Sequence, residues 1–155
     1  GAIGRRVAHL AEEFGCHVIY YSTSGKNSDQ PYERVDFEEI LSRSDILSIH
    51  APLNSQTEGL MDQKAFGKMK KSAILINVGR GPIVVEEDLA DALERGEIRA
   101  AGLDVLSKEP MDPANPLLRI QDSSRLLITP HMAWTPVETR RRVMSEIFRL
   151  ISEAI

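Results

Sequence analysis

The sequence predicts an α/β protein built on a doubly wound parallel sheet, and three observations predict it. Short apolar runs alternate with amphipathic helical patterns along the whole chain, the signature of successive βαβ units. The run at 73–78 is β-branched and nearly unbroken, as expected of a strand buried on both faces of a parallel sheet. Candidate functional residues fall just after the strand patterns, at the carboxyl ends where open α/β sheets bind ligands. The 155 residues, 42% of them hydrophobic, make one domain with material for one core.

The elements follow in order. Gly1-Ala2-Ile3-Gly4 leads into a helix over 5–14, where Val7, Leu10, Ala11 and Phe14 keep the i, i+3, i+4, i+7 spacing, and Gly15 stops it. A strand over 17–21 comes next. Two glycines three apart at a helix start match the back half of G-x-G-x-x-G, in which one glycine lets a pyrophosphate approach and the next lets the helix pack closely. The leading glycine and its strand are absent. The expected architecture is therefore a Rossmann-type doubly wound parallel sheet lacking its first strand, a truncated dinucleotide-binding domain over 1–155 cut from a longer polypeptide.

A dinucleotide site calls for an acidic residue about 20 positions after the glycines, to hold the ribose hydroxyls. This chain has Tyr21-Ser22-Thr23-Ser24-Gly25-Lys26 instead. No carboxylate repels a 2′-phosphate there, and hydroxyls with Lys26 can bind one, so the loop leans slightly to NADP. NAD also fits, because serine and threonine hydroxyls bond to a ribose.

Asp36 caps a short helix, with Glu39 three residues on and Phe37, Ile40 and Leu41 as its apolar face. A third strand over 45–50 ends at His50-Ala51-Pro52-Leu53-Asn54, a crevice position. A helical pattern covers 57–69, with Asp62 as cap and Lys70-Lys71 closing it against the dipole. The strand at 73–78 then stops at Gly79-Arg80-Gly81-Pro82. Arg80 is the first charge beyond it, and a planar guanidinium between glycines suits a small carboxylate. A helix over 86–95 buries Leu89, Ala92 and Leu93 and ends at Gly96. A strand over 100–104 ends at Asp104. Residues 105–124 read as one long loop, because Pro110, Pro113 and Pro116 forbid regular structure, and Glu109 lies in it. A last strand over 125–128 runs to Thr129-Pro130-His131, and a helix from 137 to the end carries Val143, Ile147, Leu150, Ile151 and Ala154 on one stripe.

Composition narrows the function. A formal charge of -4 without a sustained basic stretch argues against nucleic-acid binding. The single cysteine, Cys16, is expected as a small buried hydrophobe, so neither a disulfide framework nor a metal-binding spacing is present. No apolar run reaches membrane-spanning length and no signal peptide is seen, so a reducing, cytoplasmic setting is expected.

Arg80, Glu109 and His131 come from three strand-end loops that should share one edge of the sheet. An imidazole oriented by a carboxylate suits proton transfer to a carbonyl, an arginine suits an anionic substrate, and a nicotinamide carries hydride.

On these residues the chain resembles the D-isomer-specific 2-hydroxyacid dehydrogenases across nearly its whole length. The matching stretches are Gly1-Ala2-Ile3-Gly4, 44–53 (SDILSIHAPL), Ile76-Asn77-Val78-Gly79-Arg80-Gly81, Gly102-Leu103-Asp104-Val105 with Glu109-Pro110, and Thr129-Pro130-His131. The resemblance implies that Arg80 binds the substrate carboxylate and carbonyl, that His131 is the general acid/base, and that Glu109 pairs with it. It also implies that Asp104 contacts the nicotinamide amide, that Gly1, Ala2, Ile3 and Gly4 line the pyrophosphate, and that Ser22 and Thr23 sit near the ribose. Ala51, Pro52, Thr57, Val78, Gly79, Arg80, His131 and Ala133 complete the implied cofactor contacts.

Formate dehydrogenases carry glutamine where Glu109 stands, which sets that branch aside. Two departures stand out: the ribose-binding aspartate of NAD-using members is absent, and so is the family's substrate domain. Pro130-His131-Met132-Ala133-Trp134 and the 22–26 loop look most like the glycerate dehydrogenase and hydroxypyruvate reductase branch. The expected activity is NAD(P)-dependent reduction of 2-oxo acids such as hydroxypyruvate or glyoxylate to D-2-hydroxy acids, by a homodimer. The alternative is a nucleotide-sensing module like the family's corepressors.

Overall fold

A computed structural model of the chain describes residues 1–154. Among the described residues five α-helices and six strands follow in order: α1 (Ala2–Glu13), β1 (Ile19–Tyr20), β2 (Glu33–Arg34), α2 (Phe37–Arg43), β3 (Ile46–Ile49), α3 (Gln63–Phe66), β4 (Ile74–Asn77), α4 (Glu86–Arg95), β5 (Ala100–Leu103), β6 (Leu126–Ile128) and α5 (Val137–Ala154). All strand pairs are parallel. The sheet stands in two pieces, β1-β2 and β3-β4-β5-β6, so β1 and β3 each have one unpaired ladder edge. Register aligns Ile49, Asn77, Leu103 and Ile128 in one row, and every loop that leaves the carboxyl rim starts from it. This is the Rossmann-like α/β arrangement expected.

The core lies on one side of the larger piece. Leu47, Leu75, Ala101 and Leu103 point into it and meet Leu41, Phe66, Leu89 and Leu93 from the helices and Ile98 from the turn after α4. Each leucine so enclosed contributes about 1.5–3 kcal/mol relative to exposure. The strand at 73–78 corrects its expectation: Leu75 and Asn77 are buried, but Ile74 and Ile76 are only half so. Its other face is thinly covered, and Ile3, Val7 and Leu10 of α1, Phe14 just after it, and Val143, Ile147 and Ile151 of α5 are themselves exposed.

Helix α4 matches its expectation residue for residue. Glu86, Glu87 and Asp88 favour its positive end, Leu89, Ala90, Ala92 and Leu93 are buried, and Gly96 closes it at φ 68°. The helix expected over 57–69 shrinks to Gln63–Phe66. Gly59 adopts φ 62°, a left-handed turn that breaks the helical run, and Met61 pairs instead with Val84. Asp62 still caps the remainder through the Ala65 N–H at 2.9 Å. The expected 105–124 loop holds a 3-10 turn at Pro116–Arg119, capped by Asn115, with Leu117 in the core. A proline at the first position of such a turn lacks only an N–H that would have gone unpaired. Cys16, expected inside, is exposed, because the chain leaves α1 there and nothing covers it.

Candidate active site

The rim is shaped by a buried asparagine. Asn77, fully enclosed at the end of β4, accepts from the Gly79 N–H through Oδ1 at 3.0 Å and donates through Nδ2 to the Arg80 carbonyl at 3.0 Å. One amide thereby fixes the turn that presents Arg80. The guanidinium is exposed, its Nη1 donating to the Gly79 carbonyl at 2.8 Å. Gly81 is buried, and a Cβ there would stand 2.0 Å from the carbonyl carbon and oxygen of Leu106 and 2.5 Å from the Ser107 nitrogen. The Arg80 turn therefore lies directly against the loop that holds Glu109.

Glu109 and His131, far apart in sequence, meet at 2.7 Å between Oε2 and Nδ1. The Leu106 N–H, at 2.9 Å from Oε1, and then the His131 ring hold the Glu109 carboxyl below the usual carboxylate range. His131 itself adopts φ 52°, uncommon for a residue with a side chain. Its surroundings impose this conformation. His131 N–H donates to the Thr129 carbonyl and its own carbonyl accepts from Trp134 Nε1, both at 2.9 Å.

Asp104 does most to hold that segment. Its carboxylate accepts from the Met132 N–H at 2.9 Å, the Ala133 N–H at 2.8 Å and the Thr129 hydroxyl. Burial works against its ionisation, but these bonds outweigh it and its pKa lies below the usual value. The carboxylate therefore stabilises the fold fully above the ordinary value of 3.8, and the contribution is lost as pH falls through the lower folded value. Asp104→Asn is expected to cost about 2–3 kcal/mol at neutral pH, and its deficit should narrow on acidification as the parent loses the same charge. Thermal melting across the acid range checks this; a deficit independent of pH would refute it.

The nucleotide end is built differently. Gly1 caps α1 without a side-chain bond and no acid lies in its first turn, so the first N–H groups face outward unopposed. A Cβ on Gly4 would reach His50 Cβ at 3.3 Å, so the glycine lets the helix start sit tightly beside β3. His50, half-buried, meets Ser48 Oγ at 3.0 Å, and burial pushes its pKa down. These features fit a dinucleotide pyrophosphate.

Thr57 is buried, and its hydroxyl donates to the Pro52 carbonyl at 2.6 Å and accepts from the Asn54 N–H at 2.9 Å. It shapes the 51–57 loop from within, while Ala51, Pro52, Val78 and Gly79 lie along the rim at the ends of β3 and β4. At the 22–26 turn, Ser22 Oγ donates to the Lys26 carbonyl at 2.6 Å, and Thr23 is half-buried. Sequence reasoning missed Arg34, which pairs in register with Tyr20 at the end of β1. Its Nη2 lies 4.0 Å from where a Cβ of Gly25 would be, and it forms no ion pair among the described residues. Only the parallel pairing of a two-residue strand brings it there.

Residues 1–133 match the model of the family described as D-isomer specific 2-hydroxyacid dehydrogenase, NAD binding domain. The chain is 42% identical over 147 residues to a hydroxypyruvate reductase of Blautia hydrogenotrophica, covering 93% of this chain and 44% of that protein. It is similar to the solved structure of an acyclic imino acid reductase in complex with NADPH and D-Arg, with a TM-score of 0.89, 34% identity and coverage of 99% and 48%. A D-lactate dehydrogenase with NAD+ from Lactobacillus jensenii gives a TM-score of 0.84 at 34% identity, covering 96% and 48%. The chain thus spans less than half the length of these relatives. The match over most of its length, on the same rim that joins Glu109 to His131, means that the chain belongs to the D-isomer specific 2-hydroxyacid dehydrogenase family and carries its NAD-binding domain.

Proposed function

We propose that the intact protein reduces small 2-oxo acids, with hydroxypyruvate and glyoxylate as leading substrates, to D-2-hydroxy acids at the expense of NADPH. The observation that carries this reading is the 2.7 Å contact between His131 and Glu109, on a loop packed against the Arg80 turn. Arg80 holds the substrate carboxylate in its guanidinium fork. His131 delivers a proton to the oxygen on C2 during reduction and recovers one during oxidation, while Glu109 keeps the ring oriented through Nδ1. The nicotinamide, when bound, supplies the hydride. Gly1, Ala2, Ile3 and Gly4 hold the pyrophosphate, Asp104 and Ala133 border the nicotinamide, and residues 51–57 with Val78 and Gly79 flank the bridge between them. Residues 1–155 form the cofactor domain, and the substrate domain lies elsewhere in the polypeptide. The exposed apolar faces of α1 and α5 support assembly, and a cytoplasmic homodimer is the form we infer.

The preference for NADPH rests on the 22–26 turn and Arg34. A charge-assisted hydrogen bond is worth about 1.5–3 kcal/mol, or roughly 10- to 100-fold in binding. Arg34→Ala is accordingly expected to lower kcat/KM for NADPH by that factor and leave NADH unchanged. Steady-state oxidation of each cofactor with hydroxypyruvate or glyoxylate is the measurement. An equal loss with both cofactors would remove Arg34 from the 2′-phosphate site, and absence of turnover with every 2-oxo acid would overturn the activity.

A further inference from the structure

We propose that Glu86, in the first turn of α4, is a positioning residue that sets where Glu109 meets His131. The proposal rests on the reading of those two residues as the acid/base pair. The Glu86 carboxylate reaches across to the 105–116 loop and holds it at two points. Oε1 accepts from the Ser107 N–H at 2.6 Å, and Oε2 accepts from Asn115 Nδ2 at 2.8 Å. Those donors lie two residues before and six residues after Glu109. One side chain therefore clasps the segment carrying the carboxylate from both ends.

The anchor and the clasp are both stiff. Helix α4 is seated by Leu89, Ala90 and Leu93, each fully buried, so Glu86 starts from a fixed point. Asn115 is itself buried, its Oδ1 occupied by the Leu117 N–H at 2.9 Å, which leaves Nδ2 aimed at Glu86. Beneath the loop, the bare Gly81 backbone touches Leu106 and Ser107, so the segment is fixed from below by a glycine and from the side by a carboxylate.

Neighbouring acids of the same turn do something else. Glu87 pairs with Arg119 at 2.7 Å and Asp88 accepts from the Gln63 N–H at 2.9 Å. Of the three, Glu86 alone binds the segment that carries Glu109. The titratable groups facing His131 are Glu109 from this loop and Asp104 from the end of β5. Releasing the clasp displaces the first and leaves the second, so the ring loses the carboxylate that orients it through Nδ1.

The test compares Glu86→Ala, Glu86→Gln, Glu87→Gln and His131→Ala in the intact protein. Misplacing a catalytic group by about 1 Å costs on the order of 100-fold. Glu86→Ala is expected to lower kcat by roughly 10- to 100-fold, shift the kcat/KM–pH profile, and leave cofactor Kd unchanged. Glu86→Gln keeps the shape and one acceptor, so both changes should follow in the same direction but smaller; it also keeps the test open if the alanine variant fails to fold. Glu87→Gln is expected to lower Tm without moving the profile. A Glu86→Gln or Glu86→Ala protein with parental kcat and pH profile, whatever its Tm, would overturn the proposal. His131→Ala separates the two levels: if it is inactive while the Glu86 variants are parental, the positioning role alone fails, and if it retains turnover, the acid/base reading fails beneath it.

Discussion

Replacing His131 by alanine in the intact protein is expected to lower kcat by about 10²–10⁴-fold, while cofactor Kd changes little. On the proposed reading, the loss comes from removing the proton donor. Binding persists because the first turn of α1, the 22–26 turn and Arg34 stand apart from the imidazole. The backbone at 131 should survive the change only at a cost, since φ 52° is enforced by Asp104 and Trp134 and suits asparagine or glycine better than alanine. His131→Asn is therefore the cleaner companion variant, with the backbone spared and the proton transfer lost. Steady-state rates and a fluorescence titration of NADPH decide the matter. Parental turnover in both variants would exclude His131 from the reaction.

A methyl group at Gly81 is expected to do more damage to the fold than any other single methyl placed on the rim. The Cβ would overlap the carbonyl of Leu106 at 2.0 Å, and backbone cannot swing aside as a side chain does. Overpacking in a well-filled site costs about 1–3 kcal/mol and occasionally more. Gly81→Ala should lie at or beyond the upper end, because relief requires moving either the Arg80 turn or the Glu109 loop. The measured result would be a large fall in Tm, with whatever folded protein remains impaired in kcat. A variant with parental Tm would mean that the two loops are not in contact.

Much of this could be read along the chain, and the reasons are local. Helix α4 combines an amphipathic repeat, three acids at its start and a glycine at its end, so nothing distant was needed to define it. Arg80, Asp104 and His131 were legible because each follows a strand in a parallel sheet, and such strands deliver their following residues to one edge. The 57–69 helix misled because its apolar spacing outvoted Gly59, whose left-handed turn and the pairing of nearby Met61 with Val84 depend on a segment over twenty residues away. Pro116 misled in the opposite sense, since a proline that forbids a helix interior favours a helix start. Glu86 and Arg34 escaped notice for a shared reason. Their polar atoms act across the tertiary structure, on a loop and a neighbouring strand's end, and no sequence spacing encodes such reach.

The in-register row of Asn77, Leu103 and Ile128 acts as a ruler for the chemistry. Neighbouring strands lie about 4.8 Å apart, so the β4 and β6 ends are separated by roughly 10 Å. The Arg80 turn leaves one mark and the segment carrying His131 leaves another two marks away, so on the proposed reading a two- or three-carbon acid would have to touch both. A long, forked side chain on the first mark and a left-handed backbone turn on the second suit such convergence. On that reading the spacing of the strands sets the reach asked of the side chain at position 80.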